Sequence, residues 1–279
     1  MSFLLDQLNV LWPWLVLASG LVLIWLGFRV AAWIALVFWT LAALAAGLVQ
    51  LPAAALTLAG IAMAWALPRM TGWKHVAGHA AFIFWAIALA AHLIPGFHNI
   101  PVLEEVQSGP DSTPYTLYLN FDKPLLLFAL ILAWPQVMGG AARIRPALLG
   151  SAVLLAAVLL PLAAAAHAIK WEPALPTWLL LFVLANLLQT CLVEEAFFRG
   201  YLQRLLIENL GPVRGIGLAS LLFGLAHFPG GLALIAFASL LGLACGLAMH
   251  ASNRLSPAIW LHFGFNLAHL LLFTYPAAA

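Results

Sequence analysis

Long apolar runs fill most of this chain, and each run is broken by a charged residue or by proline and glycine. A helix that crosses a membrane needs roughly 20 apolar residues. Only helices and closed barrels satisfy their backbone groups in lipid, and the chain lacks the polar–apolar alternation of barrel strands. The pattern therefore predicts an all-α, polytopic bundle of about ten transmembrane helices. Their approximate bounds are 10–28, 30–49, 53–68, 76–94, 124–142, 147–168, 176–198, 214–228, 232–250 and 257–273.

The composition supports a membrane protein and excludes most soluble classes. Of the 279 residues, 65% are hydrophobic and 7% are charged, whereas soluble domains carry about 25% charged residues. A soluble fold of this size has too little interior to bury that apolar surface. We therefore expect the lipid bilayer as surroundings and no nucleic acid as a partner. Cys191 and Cys245 lie within apolar runs, where buried free thiols are expected.

The positive charges predict how the helices are oriented. One set of cations falls in every second connection, so the positive-inside rule assigns those connections to the cytoplasm and both termini to the outside. The other connections carry Lys123 and Lys170, each beside acidic residues. The first apolar run has no cleavage site after it, and we interpret it as a retained helix. The cytoplasmic set consists of Arg29, Arg69, Lys74, Arg143, Arg145, Arg204, Arg214 and Arg254.

Polar content divides the chain into two parts. Residues 1–170 form an N-terminal transmembrane region in which histidines are almost the only polar groups at mid-membrane depth. Residues 171–279 form a second bundle with several such groups. The segment 95–123 holds four of the nine acids and several prolines, and it lies outside the membrane in this topology. It is either a substrate-gating or partner-binding loop or an ordered connector.

The motif Glu194-Glu195-x-x-x-Arg199 is the strongest polar feature within an apolar run. Ionisable residues in a transmembrane segment are costly and usually functional. Glu195 and Arg199 are four residues apart, which predicts an ion pair on one helix face. Glu194 projects about 100° away from Glu195 and is expected to be available for chemistry. The alternative is that all three residues only tie helices together.

Two further motifs place polar side chains in apolar helices. The first is Phe223-x-x-x-His227, and a lone histidine in such a helix is more often a packing residue than a catalyst. The second is His262-x-x-x-Asn266, whose two side chains share one helix face. They suit oxyanion binding or ligation, and they equally suit a hydrogen-bonded clasp between helices.

The three motifs reach a similar depth in the membrane. At 1.5 Å per residue, Glu194, His227 and His262 lie about 15, 20 and 12 Å along their helices from the predicted cytoplasmic cations. Histidines with separate structural roles have no reason to share the depth of a buried pair of acids. We therefore predict that the three side chains meet around one polar cavity.

Motifs that the chain lacks narrow the chemistry. There is no H-E-x-x-H and no G-x-S-x-G, which argues against a zincin and a serine hydrolase. All three aspartates, Asp6, Asp111 and Asp122, lie outside the apolar runs. The groups left for catalysis are a carboxylate, two imidazoles and a carboxamide.

Taken together, the motifs E-E-x-x-x-R, F-x-x-x-H and H-x-x-x-N on consecutive membrane helices resemble the CPBP family. That family contains the type II CAAX prenyl endopeptidases and bacterial proteins described as self-immunity proteins. The resemblance covers about residues 176–273. It implies that residues 171–279 form a catalytic helix bundle in which Glu195 and Arg199 support the first motif.

The resemblance implies a glutamate-dependent intramembrane endopeptidase. By analogy with the family, Glu194 and His227 would activate a water molecule that attacks a peptide carbonyl. His262 and Asn266 would stabilise the resulting oxyanion, because donors in a low-dielectric site act more strongly than in water. The substrate would be a membrane-embedded or membrane-anchored protein.

An older interpretation of the family makes Glu194, His227 and His262 ligands of a zinc ion. Three nitrogen or oxygen ligands and one water satisfy a catalytic zinc. We favour the mechanism without a cofactor, because Asn266 suits an oxyanion hole better than a metal shell.

Two other classes of function remain as alternatives. A non-catalytic scaffold or immunity protein would keep the helices without the chemistry, and a proton-coupled transporter would use buried glutamate and histidine as a relay. The composition, rich in alanine, leucine and tryptophan and without organelle signals, favours a bacterial inner membrane.

Overall fold

The computed structural model describes residues 2–141 and 144–279, with side chains from Leu11 onward. Within those residues the chain forms ten main helices and one two-stranded sheet, which confirms the all-α helical bundle. Arg143, one of the cations used for the orientation, lies outside the described residues. The helices are α1 Ser2–Trp25, α2 Arg29–Ala45, α3 Leu51–Ala66, α4 Gly72–Ala90, α5 Leu125–Ala133, α6 Pro146–Ala165, α7 Leu179–Leu210, α8 Pro212–Leu225, α9 Gly231–Ser252 and α10 Leu255–Leu272. The strands are β1 Ile100–Val106 and β2 Tyr115–Leu119.

Five helices of the described chain are long and apolar enough to cross a membrane. Three more apolar helices have fewer than the 18 residues that this criterion requires, namely Leu11–Trp25, α2 and α8. The chain is therefore a multi-pass integral membrane protein. The five long helices are Leu51–Arg69, Pro146–Ala165, Leu179–Leu210, Phe228–Ser252 and Leu255–Leu272.

The fifth predicted span, 124–142, is a short core helix instead. Helix α5 has nine residues, and eight of them are buried. Nine residues extend about 14 Å, which is half the thickness of a bilayer core. Pro135 disfavours helical backbone at the residue before it, so the helix ends near Ala133. The prediction was wrong here because an apolar run alone does not distinguish a buried helix from a span.

The chain forms two compact units. The first comprises Met1–Val102 and Tyr118–Pro135, and the second comprises Leu103–Leu117 and Gln136–Ala279. The second unit includes α6 as well as residues 103–117. That unit also contains all of residues 171–279.

Aromatic packing and one polar cluster organise the first unit. Phe128 of α5 packs against Trp33 of α2 with ring centroids 5.6 Å apart. Asp122, which is 1% exposed, lies just before α5 and accepts hydrogen bonds from His92 Nδ1 at 2.6 Å and from Asn99 Nδ2 at 3.3 Å. The buried carboxylate is thus satisfied within its own unit.

Glycine allows α8 and α9 to approach closely in the second unit. A Cβ atom at Gly224 of α8 would collide with the Ile235 carbonyl and the Ser239 hydroxyl of α9. Small residues at such crossings let helix backbones pack tightly in membranes. This crossing holds α8, and with it His227, against α9.

We expect Gly224→Ala to destabilise the protein by about 1–3 kcal/mol, because the added methyl group meets backbone that cannot move away cheaply. Gly217→Ala is the matched control, since a Cβ there meets nothing within 4 Å. In an exposed helical position that change stabilises by about 0.5–1 kcal/mol. Thermal unfolding in detergent micelles measures both. Equal behaviour of the two variants would contradict the close crossing.

Candidate active site

Helix α7 carries the two acids of the first motif between two wide π-helical turns, and Arg199 lies within the second of these turns. The turns are Asn186–Cys191 and Ala196–Gln203, and Glu194 and Glu195 lie in the regular helical turn between them. Such π turns occur frequently at functional sites in α-helices. They alter the usual i, i+4 alignment of side chains along α7, so the neighbours of each residue differ from those of a regular helix.

Glu195 joins two of the sequence motifs in the protein interior. Arg199 Nη1 lies 3.2 Å from Glu195 Oε1, and both side chains are fully buried. His262 Nδ1 of α10 lies 2.8 Å from the same oxygen. The predicted Glu195–Arg199 ion pair is therefore present. The bond from His262 was not foreseen, because it depends on how α10 lies against α7.

The buried guanidinium of Arg199 has aromatic and glycine neighbours. Its Cζ atom lies 4.2 Å from the ring centroid of Phe223, a cation–π contact from α8. A Cβ atom at Gly242 of α9 would lie 3.0 Å from Arg199 Nη2, so this glycine leaves room for the charge. Arg199 thus links α7 to α8 and α9 as well as to Glu195.

His227 has a defined orientation next to Phe223. Its Nδ1 lies 2.8 Å from the Phe223 carbonyl oxygen, and since that oxygen only accepts, Nδ1 carries the proton. In the neutral ring Nε2 is then a hydrogen-bond acceptor. The Phe223 ring lies 4.8 Å from the His227 ring and 5.6 Å from the His262 ring, which brings the second and third motifs around one side chain.

The carboxylate of Glu195 fixes the tautomer of His262 in the same way. A carboxylate only accepts hydrogen bonds, so Nδ1 of His262 donates to it. The opposite nitrogen, Nε2, donates only when the ring is fully protonated. His262 can therefore take the oxyanion role implied by the family resemblance only when both of its ring nitrogens carry a proton.

Asn266 lies one turn further along α10 and contacts polar groups of α7. Its Nδ2 atom donates to Asn186 Oδ1 at 3.3 Å and lies 3.8 Å from Cys191 Sγ. Asn186 lies outside the three motifs, although an asparagine in an apolar transmembrane run is itself a signal of function or of helix contact. Cys191 and Cys245 are buried free thiols, as expected.

These contacts define how α10 lies against α7. Residues nearer the C-terminus of α10 contact residues nearer the N-terminus of α7. The two helices are therefore antiparallel. The facing pairs are His262 with Glu195, Asn266 with Cys191 and Asn186, and Leu270 with Phe182. Glu194 lies in the same stretch of α7, half-buried, with its Oε2 atom shielded from the surface.

The donors of the alternative zinc site do not form a ligand set in this arrangement. Among residues 2–141 and 144–279, no group of three or more histidine, cysteine or acidic side chains is close enough to hold a metal ion. We therefore derive no catalytic step through Glu194, His227 and His262 as zinc ligands.

An apolar cavity of about 430 Å³ lies beside α10 but does not contain the motif residues. Residues of α6 and α10 line it, among them Trp260, Gly264 and Ala268. At 100° per residue, Gly264 projects to the opposite side of α10 from His262 and Asn266. The cavity therefore belongs to a different face of the helix.

Residues 103–117 cover the Trp178 end of α7 and form part of its surroundings. Tyr115 packs against Trp178 at 5.6 Å and against Tyr275 at 5.2 Å between ring centroids. Glu172 holds the connection between the strands, accepting hydrogen bonds from Asp111 N at 2.7 Å and Ser112 Oγ at 2.5 Å. The central part of the predicted loop, residues 103–117, is therefore ordered within the second unit.

The two tyrosines of this cap are hydrogen-bonded to each other and kept neutral. Burial raises the pKa of Tyr275 well above its usual value, and the neighbouring Tyr115 hydroxyl adds to the effect. Burial also raises the pKa of Tyr115. Neither hydroxyl ionises near neutral pH, so the two tyrosines add no charge to this end of the bundle.

Glu195→Ala is expected to destabilise the protein by about 3–5 kcal/mol, because it leaves Arg199 as an uncompensated buried charge. Removing that charge as well, in Glu195→Ala/Arg199→Met, should recover much of the loss. The free energy of unfolding of both variants is measured in detergent micelles. If the double variant is no more stable than the single one, the buried charge is not the cause.

The comparisons with known proteins agree with the motifs. Residues 176–268 match the family described as type II CAAX prenyl endopeptidase, Rce1-like, and this segment is 93 of the 279 residues. No protein of curated function and no solved structure matches the chain. All six motif residues that carry polar groups lie within the matched segment. Residues 176–268 are thus similar to the Rce1-like family of type II CAAX prenyl endopeptidases, which confirms the resemblance drawn from the three motifs.

Proposed function

We propose that this chain is an intramembrane endopeptidase that hydrolyses a peptide bond of a membrane-anchored protein. The observation that carries the proposal is the contact between His262 Nδ1 and Glu195 Oε1 at 2.8 Å, deep in the protein. It joins the first and third motifs of the family segment beside Glu194. The Phe223 ring adds the second motif to the same place.

Water activation is assigned to Glu194 and His227. With its Nδ1 proton held by the Phe223 carbonyl, neutral His227 offers Nε2 as an acceptor that orients a water molecule. Glu194 takes a proton from that water as its oxygen bonds to the peptide carbonyl carbon. The protonated Glu194 then donates to the leaving amine as the carbon–nitrogen bond breaks, so protons balance over the cycle.

Oxyanion stabilisation is assigned to His262 and Asn266. Asn266 donates from Nδ2, and His262 donates from Nε2 when its ring carries both protons. The carboxylate of Glu195 accepts the Nδ1 proton of that charged ring and thereby orients it. Donors that are already oriented in a site shielded from water stabilise a developing negative charge strongly.

The substrate is proposed to be anchored in or to the membrane, because the first and third motifs lie in helices long and apolar enough to cross it. The family description names prenylated CAAX proteins, and prenylation is a largely eukaryotic modification. The composition of this chain favours a bacterial inner membrane, where an unprenylated membrane protein or lipoprotein-like peptide is the substrate. A panel of peptide substrates with and without a prenyl group distinguishes the prenylated from the unprenylated class of substrate.

We expect Glu194→Gln to abolish cleavage while the protein still inserts and folds, because the amide cannot take a proton from water. The wild type and the variant are expressed in a bacterial host, and mass spectrometry identifies new peptide termini in the membrane fraction. The wild type should generate termini that Glu194→Gln does not.

Glu208→Gln is the matched control, since Glu208 is exposed near the end of the same helix. It should give the wild-type pattern of termini. Thermal unfolding of Glu194→Gln should match the wild type, which separates lost chemistry from lost folding. If Glu194→Gln produces the same termini as the wild type, the non-catalytic scaffold replaces the peptidase.

Cleavage is expected to survive exhaustive chelation, because Glu194 and His227 activate water without a metal in this proposal. The assay uses purified protein in liposomes and two internally quenched peptides, one ending in a farnesylated CAAX sequence and one without the farnesyl group. Elemental analysis should find less than one zinc per chain. One zinc per chain, lost and restored together with activity, would establish the zinc alternative.

A further inference from the structure

We infer that Asn186, which lies outside the three motifs, positions the side-chain amide of Asn266 for its oxyanion role; the inference rests on the proposed function. Asn186 Oδ1 lies 3.3 Å from Asn266 Nδ2 and 3.2 Å from Cys191 Sγ. Two donors from two helices thus converge on one carbonyl oxygen, which has two lone pairs to offer. Asn186 acts through Asn266 and is a positioning residue.

The π turn of α7 explains why Asn186 is held in place. Asn186 and Cys191 are the first and last residues of the turn Asn186–Cys191, five positions apart. In a regular α-helix, residues five apart project about 140° from each other and do not touch. The i to i+5 spacing of a π turn stacks them on one side. The Cys191 thiol therefore reaches Asn186 Oδ1 and fixes the side chain that receives Asn266.

The hydrogen-bond inventory of Asn266 then leaves one donor for the substrate. Its amide nitrogen carries two hydrogens, and Asn186 Oδ1 accepts one of them. The other approaches Cys191 Sγ at 3.8 Å, and a thiol sulfur is a weak acceptor. An oxyanion is a much stronger acceptor, so it takes this hydrogen while the bond to Asn186 stays in place.

Apolar packing on the next turn protects this pair of amides. Phe182 and Leu270 are both fully buried and pack together with Trp178. They fill the space between the Asn186–Asn266 pair and Tyr115. Water therefore competes poorly for the Asn186 carbonyl from that side, and the amide of Asn266 is oriented before substrate arrives.

The test replaces the acceptor of Asn186 in the purified protein in liposomes. The probes are the two quenched peptides, farnesylated and unprenylated, and kcat and KM are measured on each peptide that the wild type cleaves. We expect Asn186→Leu to lower kcat by about 10-fold to 100-fold, less than the 10²–10³-fold loss from removing an oxyanion donor itself. KM should stay near the wild-type value, because Asn186 does not touch the substrate.

Two companion variants separate positioning from general damage to the fold. Asn186→Asp keeps an acceptor oxygen in the same place and should restore most of kcat. Asn209→Leu removes an exposed asparagine whose Nδ2 donates to its own helix, and it should leave both constants unchanged. In the Asn266→Ala background, Asn186→Leu should cause no further loss, since coupled residues are not additive.

The outcomes distinguish this inference from the proposed function. An active wild type in which Asn186→Leu retains its kcat, or in which Asn186→Leu and Asn266→Ala add independently, overturns the inference and leaves the peptidase intact. A wild type that cleaves neither peptide and generates no new termini in host membranes overturns both. Loss of kcat in Asn186→Leu with recovery in Asn186→Asp supports the inference.

Discussion

The buried charge of Arg199 is the constraint on which the packing of the second unit depends. A guanidinium with no exposure to solvent must be compensated within the protein. Glu195 supplies the opposite charge at 3.2 Å, Phe223 presents its ring, and Gly242 leaves the space. These neighbours come from α7, α8 and α9. The same carboxylate then receives His262 from α10, so the residues around this one cation come from every helix that carries a motif residue.

Local spacing predicted the parts of this site that lie on a single helix. Glu195 and Arg199 pair four residues apart, and His262 and Asn266 face α7 together, as an i, i+4 rule requires. The contact between Glu195 and His262 joins residues 67 positions apart and depends on the packing of two helices. The contacts of Asn186 depend in addition on a π turn of α7, and hydrophobic periodicity does not reveal such a turn. The contacts that the sequence does not predict are therefore the ones set by helix packing and backbone irregularity.

The fold was predictable to a similar extent and for a related reason. Apolar run length gave the number of helices, because a bundle in lipid needs about 20 apolar residues per crossing. It failed at α5, where an equally apolar run is a short helix buried within protein. It also gave no sign that residues 100–119 contain two strands. The error at α5 arises because protein, rather than lipid, surrounds that segment.

Residues outside the family segment complete the surroundings of the motif residues. The matched segment ends at residue 268, yet Tyr275 of the C-terminal segment and Tyr115 of β2 pack over the end of α7 that leads to Asn186. Glu172 ties the connection between the strands to the same end. Reaction chemistry needs only a few groups in fixed geometry, whereas the walls around them decide which substrate reaches them. The family segment therefore holds all the residues of the proposed chemistry, and residues from 103–117 and 269–279 pack around the end of α7 that leads to them.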